Sequence, residues 1–365
     1  MYRICHVITD KNIGGAGIWL LGYLNHYNKE QFEVSVILPE DSMLAERITD
    51  PSIKVHKLPM KESSVDLGAI GPIRTLLKED RIQLLHTHAS LSARLAGKLA
   101  GIPNIYTKHC LDEGTPSFQS RFIARMGAML CDRVIAVSQA TFDNLCAQGI
   151  PSSKIRIIPN GIRPLSEYSA EEKKAVRSKY GLLDSDQLIG ILGRLEEIKG
   201  HRYLFEAAPK VFSKFPNAKI IVAGNGSLET ELKSLCSSLG ISDRVIFAGF
   251  VEDPASVLNL FDINVCASLS ESFSLSVGEA MSLGIVTIAT RCGGPEELIA
   301  DGTDGFLVPA KDSPALAKKI EYLLTHPSVK SEMSIRAKKK IREQYNLSIV
   351  TACLEQLYTE IIQTK

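Results

Sequence analysis

The chain has 365 residues, of which 45% are hydrophobic and 23% charged, and its formal net charge is +1 at pH 7. This length fits two domains of ordinary size, and the balance of residue types excludes a disordered chain. The near-zero net charge provides no field for binding nucleic acid, so nucleic acid is not expected as a partner. No apolar run reaches the length of about 18 residues that predicts a membrane-spanning helix.

The opening segment, Met1 to Thr9, is too short and too polar for a signal peptide and predicts a buried strand. The eight cysteines include no Cys-x-x-Cys pair, and most lie in apolar runs. This pattern is typical of reduced thiols in the core of a cytosolic protein, so we expect a cytoplasmic protein without a zinc site or a disulfide framework.

The first half alternates short Val- and Ile-rich segments with amphipathic ones, which predicts a parallel sheet covered by helices on both faces. The predicted strands are 2–9, 33–38, 53–58, 82–86, 104–108, 133–137 and 155–158. The predicted helices are 15–28, 66–79, 89–100, 117–131 and 139–148.

The segment from Pro159 to Pro164 interrupts this alternation and is followed by charged residues, which indicates a domain junction near residue 165. Just beyond it, Asp184 and Asp186 stand two apart. Two carboxylates at this spacing could bind a metal ion, but a polar loop before a strand favours a cap or turn.

A second alternating series follows, and the last 40 or so residues have a helical pattern throughout. The predicted strands are 187–193, 218–223, 244–248, 262–266, 285–290 and 305–308. The predicted helices are 201–213, 227–239, 276–283 and 312–325. Two doubly wound sheets predict ligand binding in a cleft, at the carboxyl ends of the strands.

Two glycine-rich loops each end a predicted strand and open a helix. Gly14, Gly15 and Ala16 belong to the first loop, and Gly224 and Asn225 to the second. Backbone amides in such loops can approach a phosphate, whereas the alternative is a simple tight turn. Neither loop has the dinucleotide fingerprint or the P-loop pattern.

Two charged pairs in the second half are candidate ligand-binding residues. Arg194 and Lys199 flank the loop after the first strand of this half, where two cations could clamp a diphosphate. Glu271 and Glu279 stand eight residues apart around the start of a predicted helix, where carboxylates could accept hydrogen bonds from a sugar hydroxyl and a ribose diol. The alternatives are an ordinary surface loop and solvated residues at a helix start.

The order of these motifs resembles that of the retaining glycosyltransferases of family 4, which have the GT-B fold. The resemblance covers residues 2 to about 362 and rests on Gly-Gly-Ala at 14–16, Ile-Pro-Asn-Gly at 158–161, Gly-Arg-Leu at 193–195, Lys-Gly at 199–200, Gly-Asn-Gly at 224–226, Glu-x7-Glu at 271–279 and Gly-Gly-Pro-Glu-Glu at 293–297.

The resemblance implies an α/β protein in which two doubly wound Rossmann-like domains face each other across a cleft. It implies an acceptor-side domain at 1–165, a nucleotide-sugar domain at 166–345, and a C-terminal helix at 346–365 that crosses back to the first domain. It also implies His109 and Glu271 as catalytic residues that position the donor sugar. The implied donor-binding residues are Gly14, Gly15, Ala16, Arg194, Lys199, Gly224, Asn225, Phe250, Val251, Phe273, Ser274, Leu275 and Glu279.

His86 and His88 stand two apart on a predicted strand, a spacing that can bind metal, but no third ligand is evident in the sequence. We expect His88 to line the acceptor pocket; the alternative is a core histidine. The resemblance implies metal-free transfer without a cofactor, with retention of anomeric configuration and with a UDP-sugar as the favoured donor.

A saccharide or lipid-linked acceptor in polysaccharide synthesis is expected, and the sequence does not indicate the oligomeric state. The basic, amphipathic helix around residues 121–130 could contact the inner face of an anionic membrane peripherally, or could instead pack in the core. The alternative function is that of a non-catalytic regulatory protein that binds a sugar nucleotide.

Overall fold

A computed structural model describes residues 1–112, 114 and 117–364. The chain divides into two compact units, Met1–Gly161 with Leu347–Lys365, and Ile162–Asn346. The predicted α/β class is confirmed, because each unit is built on one parallel sheet with helical connections. Lys365, the last residue of the predicted C-terminal segment, lies outside the described residues.

Among its described residues, the first unit contains seven parallel strands in the order β3-β2-β1-β4-β5-β6-β7. The strands are β1 (Tyr2–Ile8), β2 (Phe32–Pro39), β3 (Lys54–Leu58), β4 (Leu84–His88), β5 (Asn104–Lys108), β6 (Arg133–Ala136) and β7 (Ile155–Ile157). Its connecting helices are α1 (Gly15–Leu24), α2 (Leu44–Arg47), α3 (Leu67–Glu79), α4 (Leu91–Ala100), α5 (Phe118–Met129) and α6 (Gln139–Ala147).

The second unit contains six parallel strands in the order β10-β9-β8-β11-β12-β13. The strands are β8 (Gln187–Leu192), β9 (Ala218–Ala223), β10 (Val245–Gly249), β11 (Ile263–Cys266), β12 (Thr287–Thr290) and β13 (Phe306–Val308). The helices are α7 (Ala170–Lys179), α8 (His201–Lys214), α9 (Glu229–Ser238), α10 (Ala255–Leu258), α11 (Leu275–Ser282), α12 (Pro295–Leu298), α13 (Ser313–Thr325) and α14 (Pro327–Lys340).

The last helix, α15 (Leu347–Gln363), belongs to the first unit. Its apolar residues Val350, Leu354 and Tyr358 join the core formed by α1 and one face of the first sheet. Ile4 and Ile8 of β1 face this core, whereas the alternate residues Cys5 and Val7 face the core under α3 and α4. This alternation is the two-residue period of a strand that is covered on both faces.

The junction differs in detail from the sequence prediction. Ile162 donates its backbone N–H to the carbonyl of Tyr345 at 2.7 Å and therefore groups with the second unit. The charged segment that follows forms the exposed helix α7, because Ser169 and Glu172 make a capping box at its first turn.

The eight cysteines are free thiols. Cys5, Cys131, Cys236 and Cys266 are buried, whereas Cys110 and Cys353 are exposed. Within the described part of the chain, no helix is both long and apolar enough to cross a bilayer.

Candidate functional site

The second sheet reverses its strand order between β8 and β11. The chain adds β9 and β10 on one side of β8 and then returns to place β11 on the other side. Ligands of open α/β sheets bind at such a reversal, beyond the carboxyl ends of the strands. The loop after β8 carries Arg194 and Lys199, and the loop after β11 carries Glu271, so three predicted site residues lie in loops that flank this reversal.

Lys199 and Glu271 form an ion pair across the reversal. The Lys199 Nζ lies 2.6 Å from Oε1 of Glu271, and the Ser268 hydroxyl donates to the same oxygen at 2.8 Å. The backbone of Glu271 is also fixed: its N–H donates to the carbonyl of Cys292 at 3.0 Å, and its carbonyl accepts from the Gly294 N–H at 2.7 Å. Two loops therefore hold Glu271 rigidly beside the cation.

Arg194 is a second cation at the carboxyl edge of the second sheet, where the strands end. Its side chain is exposed and takes part in none of the ion pairs between described residues. The neighbouring Leu195 donates its N–H to the carbonyl of Asn225 at 2.9 Å, which ties the loop after β8 to the loop after β9. The same loop also carries Glu196 and Glu197, so its net charge is not positive; Arg194 is an exposed guanidinium that remains able to bind an anion.

Gly224 allows these two loops to meet. Its φ is +136°, a conformation that side chains rarely adopt, and an added Cβ would lie 2.0 Å from the carbonyl oxygen of Gly193. Close backbone packing therefore explains why position 224 is a glycine. The neighbouring Asn225 is exposed. Phe250, after β10, is 71% exposed, whereas Val251 packs partly against the core.

The turn into α11 is strained. Ser274 has φ +73°, which a residue other than glycine adopts at a cost of about 1–2 kcal/mol. Phe273 is buried beside it and Leu275 is the first helical residue. A Cβ on Gly294 would lie 2.3 Å from the backbone N of Phe273, so this turn is fixed by close packing. Strain held in place by packing is typical of a functional site.

Glu279 lies one turn into α11, and its carboxyl has an unusual pKa. Burial raises the pKa of Glu279 to about 7, Arg163 opposes this shift, and Asp253 adds to it. Arg163 and Asp253 themselves lie 3.8 Å apart. The sequence analysis did not single out Arg163, although it lies within the junction segment from Pro159 to Pro164. Near neutral pH the carboxyl of Glu279 is present in both protonation states.

In the first unit, α1 begins at Gly15 with Gly14 as an N-cap that has no side-chain hydrogen bond. An added Cβ on Gly14 or Gly15 would meet nothing within 4 Å. These glycines are therefore not required by protein packing, and open space lies beside the first turn of the helix. Together with Ala16, they present amides that can bind an anion.

His109 directly follows β5 and is linked to buried histidines of the same unit. Its Nε2 lies 2.9 Å from Nδ1 of His88, and Nε2 of His88 lies 3.1 Å from Nδ1 of His6. Burial lowers the pKa of His109 to about 4 and that of His6 to about 3, and holds the pKa of His88 well below its usual value. All three rings are therefore neutral near pH 7.

Two expectations about histidines need correction. His88 is 1% exposed and both of its ring nitrogens are engaged, so the geometry favours the alternative of a core histidine over the acceptor pocket. A third histidine does lie beside His86 and His88: the ring nitrogens of these two and of His6 lie within 4.8 Å of one another. A signal was present in the sequence, because a doubly wound sheet places its first and fourth strands side by side.

The aspartate pair before β8 is not part of the site. Asp186 accepts from the backbone N–H of Leu183 at 2.8 Å, as expected for a residue in a turn. It also forms an ion pair with Lys219 at 2.8 Å. Both Asp184 and Asp186 precede the strand, and they therefore lie at the amino edge of the sheet, opposite to Arg194.

Comparison with known families and structures agrees with this arrangement. The family model for glycosyl transferases group 1 matches residues 172–340, and the model for glycosyltransferase family 4 matches residues 13–164. Each match falls within one of the two sheet-bearing units, apart from three residues at the junction.

Similar proteins include an uncharacterized glycosyltransferase of Methanocaldococcus jannaschii, 28% identical over 74% of this chain and 73% of its own. A UDP-Gal:alpha-D-GlcNAc-diphosphoundecaprenol alpha-1,3-galactosyltransferase of Escherichia coli is 24% identical over 100% of this chain and 98% of its own. The crystal structure of Anabaena HepE in complex with UDP superposes with a TM-score of 0.86 at 21% identity, over 99% of this chain and 100% of that one. The fold is therefore GT-B.

The raised pKa of Glu279 predicts a pH-dependent effect of removing its charge. The folded pKa of about 7 lies above the ordinary value of 4.5, so ionisation lowers the free energy of unfolding increasingly as the pH rises from 4.5 to 7. We expect Glu279→Gln to stabilise the ligand-free protein by about 1–2 kcal/mol more at pH 8 than at pH 5, measured by urea unfolding. Glu171→Gln, at an exposed position of α7, is the control. Equal effects of Glu279→Gln at both pH values would contradict the shift.

Proposed function

Because the chain belongs to the family 4 glycosyltransferases, we propose that it transfers a sugar from a UDP-sugar to a lipid-linked saccharide acceptor, with retention of anomeric configuration. The observation that carries this proposal lies where β8 and β11 diverge: exposed Arg194 shares a loop with Lys199, and Lys199 is ion-paired with Glu271. Such a pattern can bind a diphosphate and the attached sugar at adjoining positions.

The donor can be assigned to the second unit part by part. Arg194 and Lys199 bind the diphosphate, and Glu271 accepts hydrogen bonds from the sugar hydroxyls. Glu279 binds the ribose diol, and the exposed ring of Phe250 contacts the base. Uridine is favoured because Anabaena HepE was crystallised with UDP and with UDP-glucose, and it shares this fold.

Charge stabilisation is the main source of rate acceleration in this proposal. As the bond between the anomeric carbon and the diphosphate oxygen breaks, negative charge accumulates on the departing UDP. Arg194 and Lys199 meet that charge, and preorganised cations of this kind usually lower the barrier more than any other single effect. The amides of Phe273, Ser274 and Leu275 add donors at the start of α11. The diphosphate draws Lys199 partly away from Glu271, which frees carboxylate capacity for the sugar.

Retention follows if the acceptor oxygen attacks the face that the UDP leaves. The departing phosphate oxygen then takes the acceptor proton, so no side chain is required as a general base. His109 and Glu271 act by positioning the donor sugar, which is the contribution of orientation to the rate. No divalent metal is part of the proposed mechanism, because the two cations supply the positive charge.

The acceptor is proposed to be lipid-linked because α5 presents an apolar face. Five large side chains of this helix are exposed: Phe118, Phe122, Ile123, Met126 and Met129. Arg121 and Arg125 accompany them, and Arg121 is exposed. A helix with apolar residues and flanking cations suits the surface of an anionic membrane. The similar Escherichia coli enzyme is named for a diphosphoundecaprenol acceptor, which is consistent with this proposal.

A non-catalytic protein that binds a sugar nucleotide is the competing function. The four charged residues of the proposed donor site, Arg194, Lys199, Glu271 and Glu279, are all present, which favours an enzyme. Assays of transfer and of slow donor hydrolysis across a panel of UDP-, GDP- and ADP-sugars decide between the two. Binding without turnover across the panel would favour the regulatory function.

Removal of the Arg194 cation should slow catalysis without unfolding the protein. Arg194→Ala is expected to lower turnover about 10²- to 10³-fold, the scale for losing one preorganised charge stabiliser. The far-ultraviolet circular dichroism should stay unchanged, because the side chain is exposed. Arg336→Ala is the matched control, since Arg336 is exposed and donates to the carbonyl of Thr303, before β13 at the amino edge. Unchanged kcat in Arg194→Ala would contradict the diphosphate assignment.

Turnover should continue in excess EDTA, because Arg194 and Lys199 provide the charge that a metal ion supplies elsewhere. Initial rates are measured with and without the chelator, before and after addition of Mg²⁺ or Mn²⁺. Loss of activity in EDTA with recovery on addition of either ion would rule out the metal-free mechanism.

Binding to membranes should depend on the apolar face of α5. Phe122→Asp is expected to weaken cosedimentation with anionic phospholipid vesicles about 10- to 100-fold, the loss expected for one buried aromatic side chain. Ile335→Asp is the control, because Ile335 is similarly exposed but lies on α14. Equal binding by both variants, or no binding by the unmodified protein, would exclude α5 as a membrane contact.

A further inference from the structure

Four histidines occupy one face of the first sheet, beneath α1 and α15. His6 lies on β1 and pairs in register with His86 on β4, and His88 follows two residues later on the same face. His109 comes two residues after Thr107, which pairs in register with His88. His6, His86 and His88 are fully buried. Such a concentration of imidazoles in a core requires a physical explanation.

Three of these residues, His6, His88 and His109, form what we call the histidine chain. Two hydrogen bonds join them, one of 3.1 Å between His6 Nδ1 and His88 Nε2, and one of 2.9 Å between His88 Nδ1 and His109 Nε2. Each neutral ring carries one N–H, and each bond needs one hydrogen. The hydrogens must therefore all point the same way, either toward His109 or toward His6.

His6, the buried end of the histidine chain, determines the direction in which the hydrogens point. We call it the closed end. Nε2 of His6 is buried and has no hydrogen-bond partner among the described residues. If the hydrogens pointed toward His6, this atom would carry an orphaned N–H. Buried orphaned N–H groups are rarer in proteins than under-satisfied acceptors. The hydrogens therefore point toward His109: His6 and His88 each carry theirs on Nδ1, and Nε2 of His109 accepts.

Metal binding is the competing explanation for the cluster. His6, His86 and His88 present ring nitrogens within 4.8 Å of one another. However, both nitrogens of His86 are already engaged, Nδ1 with the hydroxyl of Tyr358 at 2.5 Å and Nε2 with the hydroxyl of Thr107 at 2.6 Å. His86 would have to break one of these bonds to bind a metal ion, whereas the hydrogen-bonded arrangement needs no rearrangement.

We propose that His88, itself oriented by His6, is a positioning residue that fixes His109 as the Nδ1–H tautomer. With the hydrogens in this direction, a proton could pass along the histidine chain toward His6 only after all three rings had changed tautomer. Low pKa values support the count of one hydrogen per ring, since burial keeps His6 and His109 neutral at pH 7. His109 is thereby a neutral hydrogen-bond donor at Nδ1 and not a base at that atom.

The consequence for catalysis rests on the proposed function, in which His109 contacts the donor sugar. In that role the Nδ1–H donates to a sugar oxygen without adding a charge. The tautomer is a property of the ligand-free protein, so it can be measured without substrate. A wrong prediction of the tautomer is therefore distinguishable from a wrong proposal for the function.

The direct test is a long-range ¹H–¹⁵N correlation spectrum of the ligand-free, full-length protein labelled with ¹⁵N-histidine at pH 7. We expect Nδ1–H to exceed Nε2–H at least about tenfold on both His88 and His109. Spectra of His109→Gln and His88→Phe assign the signals. In His88→Phe, the Nδ1–H excess of His109 should fall at least about threefold, because its Nε2 loses the donor.

Two further measurements keep the proposal falsifiable. His6→Gln supplies an amide oxygen at the closed end and should also reduce the Nδ1–H excess on His88, even if His88→Phe does not fold. His26→Gln is the control, because His26 bonds only to the Gly22 carbonyl among the described residues and should change nothing. Nε2–H on His109 in the unmodified protein, or an unchanged tautomer in both His88→Phe and His6→Gln, would overturn the proposal. One equivalent of zinc in the purified protein, by elemental analysis, would overturn it in favour of a metal site.

Discussion

The Lys199–Glu271 ion pair is the interaction on which the proposed donor site depends. It forms where the second sheet reverses its strand order, so the fold itself brings the two loops together. The pair holds a cation at low cost in the ligand-free protein, because its charge is balanced and the carboxylate accepts a further bond from Ser268. Exposed Arg194 lies in the same loop as Lys199 and takes part in none of the ion pairs between described residues. In the proposed function these two cations bind the diphosphate, and no unpaired charge is buried beforehand.

Much of this organisation could be predicted from the sequence, because periodicity and turn residues report it directly. The strands and most long helices lie within a few residues of their predicted bounds, since alternating Val- and Ile-rich segments leave few other folds. Helix α7 was not predicted from its charged segment, because its apolar pattern is weak and its capping box sets where it begins. The proposed donor-binding residues come from motif order, whereas the raised pKa of Glu279 depends on burial, which no local pattern encodes.

The histidine contacts, in contrast, could not be predicted from the local sequence. His6 and His88 are 82 residues apart, so their hydrogen bond is invisible to any local pattern. A doubly wound sheet places their strands side by side, but only the packing of α1 and α15 reveals that the rings are buried and that one nitrogen lacks a partner among the described residues. Burial makes these imidazole rings neutral, and the N–H donors along the histidine chain then all point in one direction. Each unit thus contributes differently: charge pairing in the second, and tautomer selection in the first.

Hydrogen exchange of the backbone amides with and without UDP, followed by mass spectrometry, tests the central claim most directly. That claim is that the donor diphosphate binds at the carboxyl edge of the second sheet, where β8 and β11 diverge. UDP should slow exchange in residues 193–200 and 271–275 and leave residues 183–186, at the amino edge, unchanged. Tight UDP binding by calorimetry without protection of 193–200, or with protection confined to 183–186, would contradict the assignment.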